Sequence, residues 1–220
     1  MEYRLQKRQK KWLSASGLLG EIRKVFNKVK VPVKQKKDLR DKDKKTRGPK
    51  KDISLSDSLM SGLAMFSLKS KSLLTFDKNR NNDMVKHNLK SLYGVKQVPS
   101  DTYMREELDE VDPTNLRGCY LSSFKATQRG KLLGQYSFLD GYLLLVDGTE
   151  IFHSKKVHCE NCCERKHRDG SKTYYHQILG AVIAHPELKQ VIPLCPEPIY
   201  KRDGAKKNDC ERRAMQRFLR

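Results

Sequence analysis

The amino-acid sequence predicts an α+β protein, a helical N-terminal region followed by a strand-bearing C-terminal part, and three observations carry that expectation. Apolar residues recur at helical spacing from Ile53 to about Leu133. From Tyr142 the pattern changes to continuous apolar runs, YLLLV, QILGAVIA and QVIPL, separated by Asp-Gly and Pro breaks. The chain has 220 residues, 37% of them hydrophobic, which is enough to bury a core in one larger domain or two small ones.

Residues 1–51 hold nineteen Lys/Arg against five Asp/Glu, so +14 of the formal net charge of +20 lies in this segment. Within it, Leu18, Leu19, Ile22, Val25, Phe26 and Val29 fall at roughly helical spacing and predict a short amphipathic helix over 18–31. The stretch KQKKDLRDKDKKTRGPKK from Lys34 to Lys51 has Leu39 as its one apolar side chain and reads as a flexible basic linker. Ser54 or Ser56 can cap a helix running through Leu59, Leu63 and Phe66 to Leu73 or Leu74. A second helix is expected near Asn82–Tyr93 with Gly94 ending it, and a third after Ser100 or Asp101. Pro113 opens a fourth, through about Leu133, with Gly134 just past its end.

In the C-terminal part, YLLLVDGTEIFHS predicts a buried strand over Tyr142–Val146, ended by Asp147-Gly148. A Cys/His insertion, KKVHCENCCERKHRDGSK, separates it from a second strand in TYYHQILGAVIAHP. A turn near Pro186–Lys189 leads to a third strand in QVIPL, and Pro196 and Pro198 then break the chain. KKNDCERRAMQRFLR predicts a closing helix with Asn208 or Asp209 as its cap. The expected domains are therefore 1–52, a basic segment; 53–135, a helical unit; and 136–220, three strands and a helix, with the insertion at 155–173.

A net charge of +20 at pI ≈ 9.7 implies a polyanionic partner, and anionic lipid, RNA, DNA and ribosomes all satisfy that requirement. No apolar run of about 18 residues is available to span a bilayer, and the N-terminus lacks an apolar signal-peptide core. The expected location is the cytoplasm, where the six cysteines are reduced thiols or metal ligands rather than disulfides. Cys119, Cys195 and Cys210 read as small buried apolar residues.

Cys159, Cys162, Cys163 and His167 form a dense donor set, and C-x-x-C is the spacing that lets two thiolates share a tetrahedral Zn²⁺. Four ligands so close in sequence demand a tight loop, and His158 or His176 can replace one of them. The alternative is a pair of reduced cysteines in an exposed hairpin. Arg165, Lys166, His167 and Arg168 add positive charge that suits a DNA backbone in either case.

Three strands in a meander followed by a helix, the first strand closing on Asp147, is how a ribonuclease-H-like domain begins. The phrases LMSGLAMFSLKSKSLL, VPSDTYMREELDEV, YLLLVDGTEIFHSKKVHCENC, YYHQILGAVIAHPELKQVIPLCPEP and NDCERRA occur in order from about Ile53 to Arg220. Together they resemble insertion-sequence transposases of the DDE type. The resemblance implies binding of mobile-element DNA ends, with assembly as a homo-oligomer on the DNA open, and metal-dependent strand cleavage and transfer. In that chemistry three carboxylates hold two Mg²⁺ ions, one activating a water or 3′-hydroxyl and the other stabilising the leaving oxygen. Asp147 would be the first carboxylate. The second and third belong to a later strand and helix, so the resemblance covers the front portion of the family and implies a catalytically incomplete copy. Asp209 and Glu211 read as cap and helix-dipole residues rather than substitutes. The competing expectation is a non-catalytic, zinc-containing nucleic-acid-binding protein.

Overall fold

A computed structural model of the protein describes residues 13–30, 53–201 and 209–220. The architecture is mixed α+β, with seven α-helices and a six-stranded antiparallel sheet among the described residues. The chain divides into two units at Lys131/Leu132, a few residues before the expected boundary at 135.

The N-terminal unit is helical. Helix α1 (Ala15–Phe26) starts at Ser14, whose side chain accepts the Gly17 N–H. Helix α2 (Leu55–Ser67) starts at Ser54, which accepts the Asp57 N–H. The single helix expected through Leu73 or Leu74 is instead two. Leu68 ends α2, Lys69 turns left-handed at φ 53°, and Ser72 caps a new helix, α3 (Leu73–Asn79). The apolar spacing continues across the break because both helices line the same core, and spacing alone cannot register the turn. Helix α4 (Asp83–Ser91) is capped by Asn82 and followed by Gly94 at φ 66°; helix α5 (Asp101–Asp109) is capped by Ser100.

The helix expected from Pro113 to Leu133 is divided as well. Pro113–Leu116 is a 3₁₀ turn, helix α6 spans Arg117–Arg129 with Gly130 as its cap, and a second 3₁₀ turn follows at Leu132–Tyr136. Gly130, not Gly134, ends the helix, and a Cβ there would stand 2.7 Å from the Leu13 side chain. Gly118 serves the same packing, because a Cβ on it would come within 3.0 Å of Val25. Helix α1 thus lies on α6 and belongs to the helical unit, although its sequence sits inside the basic segment. The core is Phe26, Leu59, Met60, Ala64, Phe76, Leu89, Tyr93, Val95 and Met104, and each large side chain removed from water contributes roughly 1.5–3 kcal/mol. The expected linker at 34–51 lies outside the described residues.

In the C-terminal unit, β1 (Ser137–Phe138) makes a hairpin with β2 (Gly141–Ser154). β3 (Cys163–Lys166) turns through Gly170, at φ 81°, into the central strand β4 (Lys172–Ala184). β5 (Ile192–Pro193), β6 (Glu197–Ile199) and helix α7 (Glu211–Phe218) follow. β2 occupies one side of β4, and β3, β6 and β5 share the other side end to end.

Four expectations change here. The first strand does not stop at Asp147-Gly148; it runs through to Ser154, because Asp147 pairs with Gly180 and Gly148 with Leu179 on β4. It is not a buried strand either: Tyr142 and Leu145 are 52% and 49% exposed, because pairing at the strand's edges satisfies its backbone without covering the side chains on its faces. Pro196 and Pro198 do not exclude a strand, because β6 lies at a sheet edge where a missing N–H leaves the ladder intact. Finally, α7 is preceded by Cys210 without a side-chain cap, and Asp209 is turned inward to an ion pair with Arg217 at 2.7 Å. Asn208, the other expected cap, lies outside the described residues.

Candidate functional site

Opposite residues of an antiparallel pair share a face, and neighbours along a strand alternate between faces. The register therefore assigns each donor of the C-terminal unit to one side of the sheet. Val146, Gly148, Tyr175, Leu179 and Cys163 share the face covered by α7, where Cys163, Leu179, Ile199 and Ala214 form the core with Met215 and Phe218 packed against it. Asp147, Gly180, Ile178 and His176 belong to the other face.

Alternation decides the cysteines too. Cys163 opens β3 opposite Tyr175, is fully buried, and directs its thiol to the Ile199 carbonyl at 3.7 Å. Burial pushes that thiol above the ordinary cysteine value, with the nearby Asp209 adding to the effect. It is a core residue and not a metal ligand. His167, also expected in the donor set, is engaged across the β3–β4 hairpin instead, its Nε2 standing 2.7 Å from Thr173 Oγ1.

His176 takes their place. Its Nε2 lies 3.3 Å from both Cys159 Sγ and Cys162 Sγ, which are 3.7 Å apart. Cys159, Cys162 and His176 make a group that could hold a metal ion, all three donor atoms within 4.8 Å of one another. The C-x-x-C turn is closed by the Cys162 N–H to the Cys159 carbonyl at 3.2 Å, and the Cys159 N–H points at Cys162 Sγ at 3.3 Å. Cys162 is buried and Cys159 exposed, so the group sits at the rim of the sheet. Burial raises the Cys162 thiol above its usual value. His158, the other possible substitute, stacks on Tyr174 with ring centres 4.2 Å apart, and its Nδ1 faces the Lys156 carbonyl at 3.1 Å.

Asp147 is exposed near the middle of β2, and its Oδ1 accepts the Gly148 N–H at 2.8 Å. Among the described residues it forms no ion pair and joins no group of three ligating side chains. Glu211 lies across the sheet from it. A Cβ at Gly148 would collide with the Glu211 carboxylate, which accepts from Gln177 Nε2 at 2.8 Å, so Glu211 covers the face that Asp147 turns away from.

The basic residues of the insertion are partly committed. Arg165 reaches across β4, over the Tyr175 ring at 4.8 Å, to an ion pair with Glu150. Lys172 and Lys201 both pair with Glu164 and hold its carboxyl below the usual carboxylate range. Cys210, expected to be buried, is exposed. Among the described residues no helix is long and apolar enough to cross a membrane. No protein-family model, no curated protein and no solved structure matches this chain.

Proposed function

We propose that the chain acts in DNA transposition as a DNA-binding protein of the DDE transposase type, with Asp147 as the first metal-binding carboxylate. The observation that supports this reading best is Asp147 itself. It is an exposed acid in the middle of a strand, between Val146 and Gly148, on the sheet face away from α7 and without a cationic partner among the described residues. A hard cation such as Mg²⁺ takes oxygen ligands of this kind, and with DNA phosphates contributing further oxygens the site would gather around the nucleic acid. The surplus of +14 in residues 1–51 supports the same partner, because neutralising phosphates releases counterions.

Two measurements test it together. Duplex DNA carrying mobile-element ends is expected to raise Mn²⁺ uptake by the chain, read by electron paramagnetic resonance, and Asp147→Asn is expected to remove that increment while leaving DNA binding in place. Absence of DNA binding at low salt, or Mn²⁺ uptake indifferent to Asp147, sinks the reading. A second reading, a non-catalytic zinc-containing nucleic-acid-binding protein, is favoured by the Cys159, Cys162 and His176 group, whose thiolates and imidazole suit Zn²⁺ rather than Mg²⁺. DNA binding with no dependence on Asp147 or on Mn²⁺ would select it.

A further inference from the structure

We infer that Cys159, Cys162 and His176 hold one Zn²⁺ as its complete set of protein thiolate and imidazole ligands, leaving the fourth tetrahedral position to water or a small exchangeable donor. Zn–S bonds of about 2.3 Å and a Zn–N bond of about 2.0–2.1 Å at tetrahedral angles put sulfur atoms about 3.8 Å apart and sulfur and nitrogen about 3.5 Å apart. The three observed separations, 3.7, 3.3 and 3.3 Å, reproduce that triangle. One ring nitrogen can donate or accept a single hydrogen bond, yet Nε2 stands equally near two sulfurs.

The fourth ligand is not another histidine or cysteine of this chain. All six of each type lie in the described residues, and none joins the group. The nearest in sequence are engaged elsewhere: His158 on Tyr174, Cys163 in the core under α7, His167 on Thr173. Structural zinc sites are closed by four protein ligands, whereas three with one exchangeable position is the pattern of sites that take a ligand. Exposed Cys159 places that position at the solvent side, where a small anion or thiol can reach it. The ion would also tie the segment after β2 to β4, because its ligands come from the C-x-x-C turn and from His176 on β4, 17 residues beyond Cys159 and 14 beyond Cys162.

This inference concerns the metal under either functional reading, and its test uses no DNA, so its failure is distinct from theirs. The reduced full-length chain is expected to carry one Zn²⁺ by elemental analysis. Cys159→Ser, Cys162→Ser and His176→Ala should each weaken Zn²⁺ binding at least tenfold, while His167→Gln and Cys163→Ala leave it within about twofold. Co²⁺ in place of Zn²⁺ should give a tetrahedral spectrum with charge transfer from two thiolates, and azide should shift its visible bands. Should the ligand variants misfold, alkylation of the unmodified protein decides: Zn²⁺ is expected to protect Cys159 and Cys162 but not Cys210. Zinc kept without His176, zinc lost with His167, azide without effect on the Co²⁺ spectrum, or equal alkylation with and without Zn²⁺ would each overturn the assignment.

Discussion

Asp147 and Glu211 lie on opposite faces of the same sheet, because Glu211 rests against Gly148 and adjacent strand residues project to opposite sides. They cannot share a metal ion without unpairing β2 from β4. Glu211→Gln is therefore expected to leave DNA-induced Mn²⁺ uptake unchanged, while Asp147→Asn removes it and shifts folding stability by no more than about 0.5 kcal/mol, as befits an exposed position. Paramagnetic titration of both variants beside denaturant unfolding checks the pair. Equal losses of metal from the two would contradict the face assignment.

Arg217 joins α7 to the sheet. Its Nε donates to Glu197 at 2.7 Å, its Nη2 to the Pro198 carbonyl at 2.9 Å, and it pairs with Asp209 at 2.7 Å. Both carboxylates are largely shielded from water, so Arg217→Ala removes a cationic partner from each. Allowing for an arginine that is itself partly solvated, the expected loss is about 2–4 kcal/mol, confined to the C-terminal unit. Chemical denaturation followed by hydrogen exchange on β6 and α7 measures it; a change below about 0.5 kcal/mol would show the clamp to be idle.

Asp57 performs the corresponding task in the helical unit. Its Oδ1 receives Arg23 at 2.7 Å and its Oδ2 the Gln97 N–H at 3.2 Å, tying α1 and the segment after α4 to the first turn of α2. Asp57→Ala should destabilise this unit by about 2–3 kcal/mol, because the backbone N–H and the guanidinium both lose a buried acceptor. Asp57→Asn keeps an acceptor for the backbone and should cost less. Thermal unfolding of the two variants ranks them, and the reverse order would refute the backbone contribution.

Binding to duplex DNA is expected to weaken steeply with salt, the slope of log affinity on log salt being about −0.9 per neutralised phosphate. Removing residues 1–12, which carry five Lys/Arg against one Glu and precede α1 in sequence, should flatten that slope. Fluorescence anisotropy over a salt series reads it directly. An unchanged slope would move the contact surface to the rest of the chain.

Cys119, on α6, has its thiol pushed up to about 11 by burial. At pH 8 only roughly one molecule in a thousand carries the thiolate, the reactive form. Iodoacetamide should label exposed Cys210 in the native protein well before Cys119, with Cys119 reacting only as the helical unit opens. Peptide mapping of a time course tests this, and equal labelling rates would contradict the packing of α6.

The sequence alone determined what depends on neighbours along the chain. Ser54 and Ser100 start helices because a short polar side chain can satisfy an amide three residues on, and that chemistry is local. The change from helical to strand patterning at Tyr142 and the C-x-x-C turn were legible for the same reason. Tertiary structure decided what depends on a partner strand. A strand ends where its partner stops supplying hydrogen bonds, so β2 passes through Asp147-Gly148 and reaches Ser154 opposite Tyr174. Which donors meet was settled in the same way. Cys163 is adjacent to Cys162 in sequence but alternation turns it into the core, whereas His176 reaches the C-x-x-C turn from β4 because register sets its side of the sheet. Spacing in sequence measures how closely residues are linked, but the face a side chain occupies is set by pairing over long separations, and a shift of one residue reverses it.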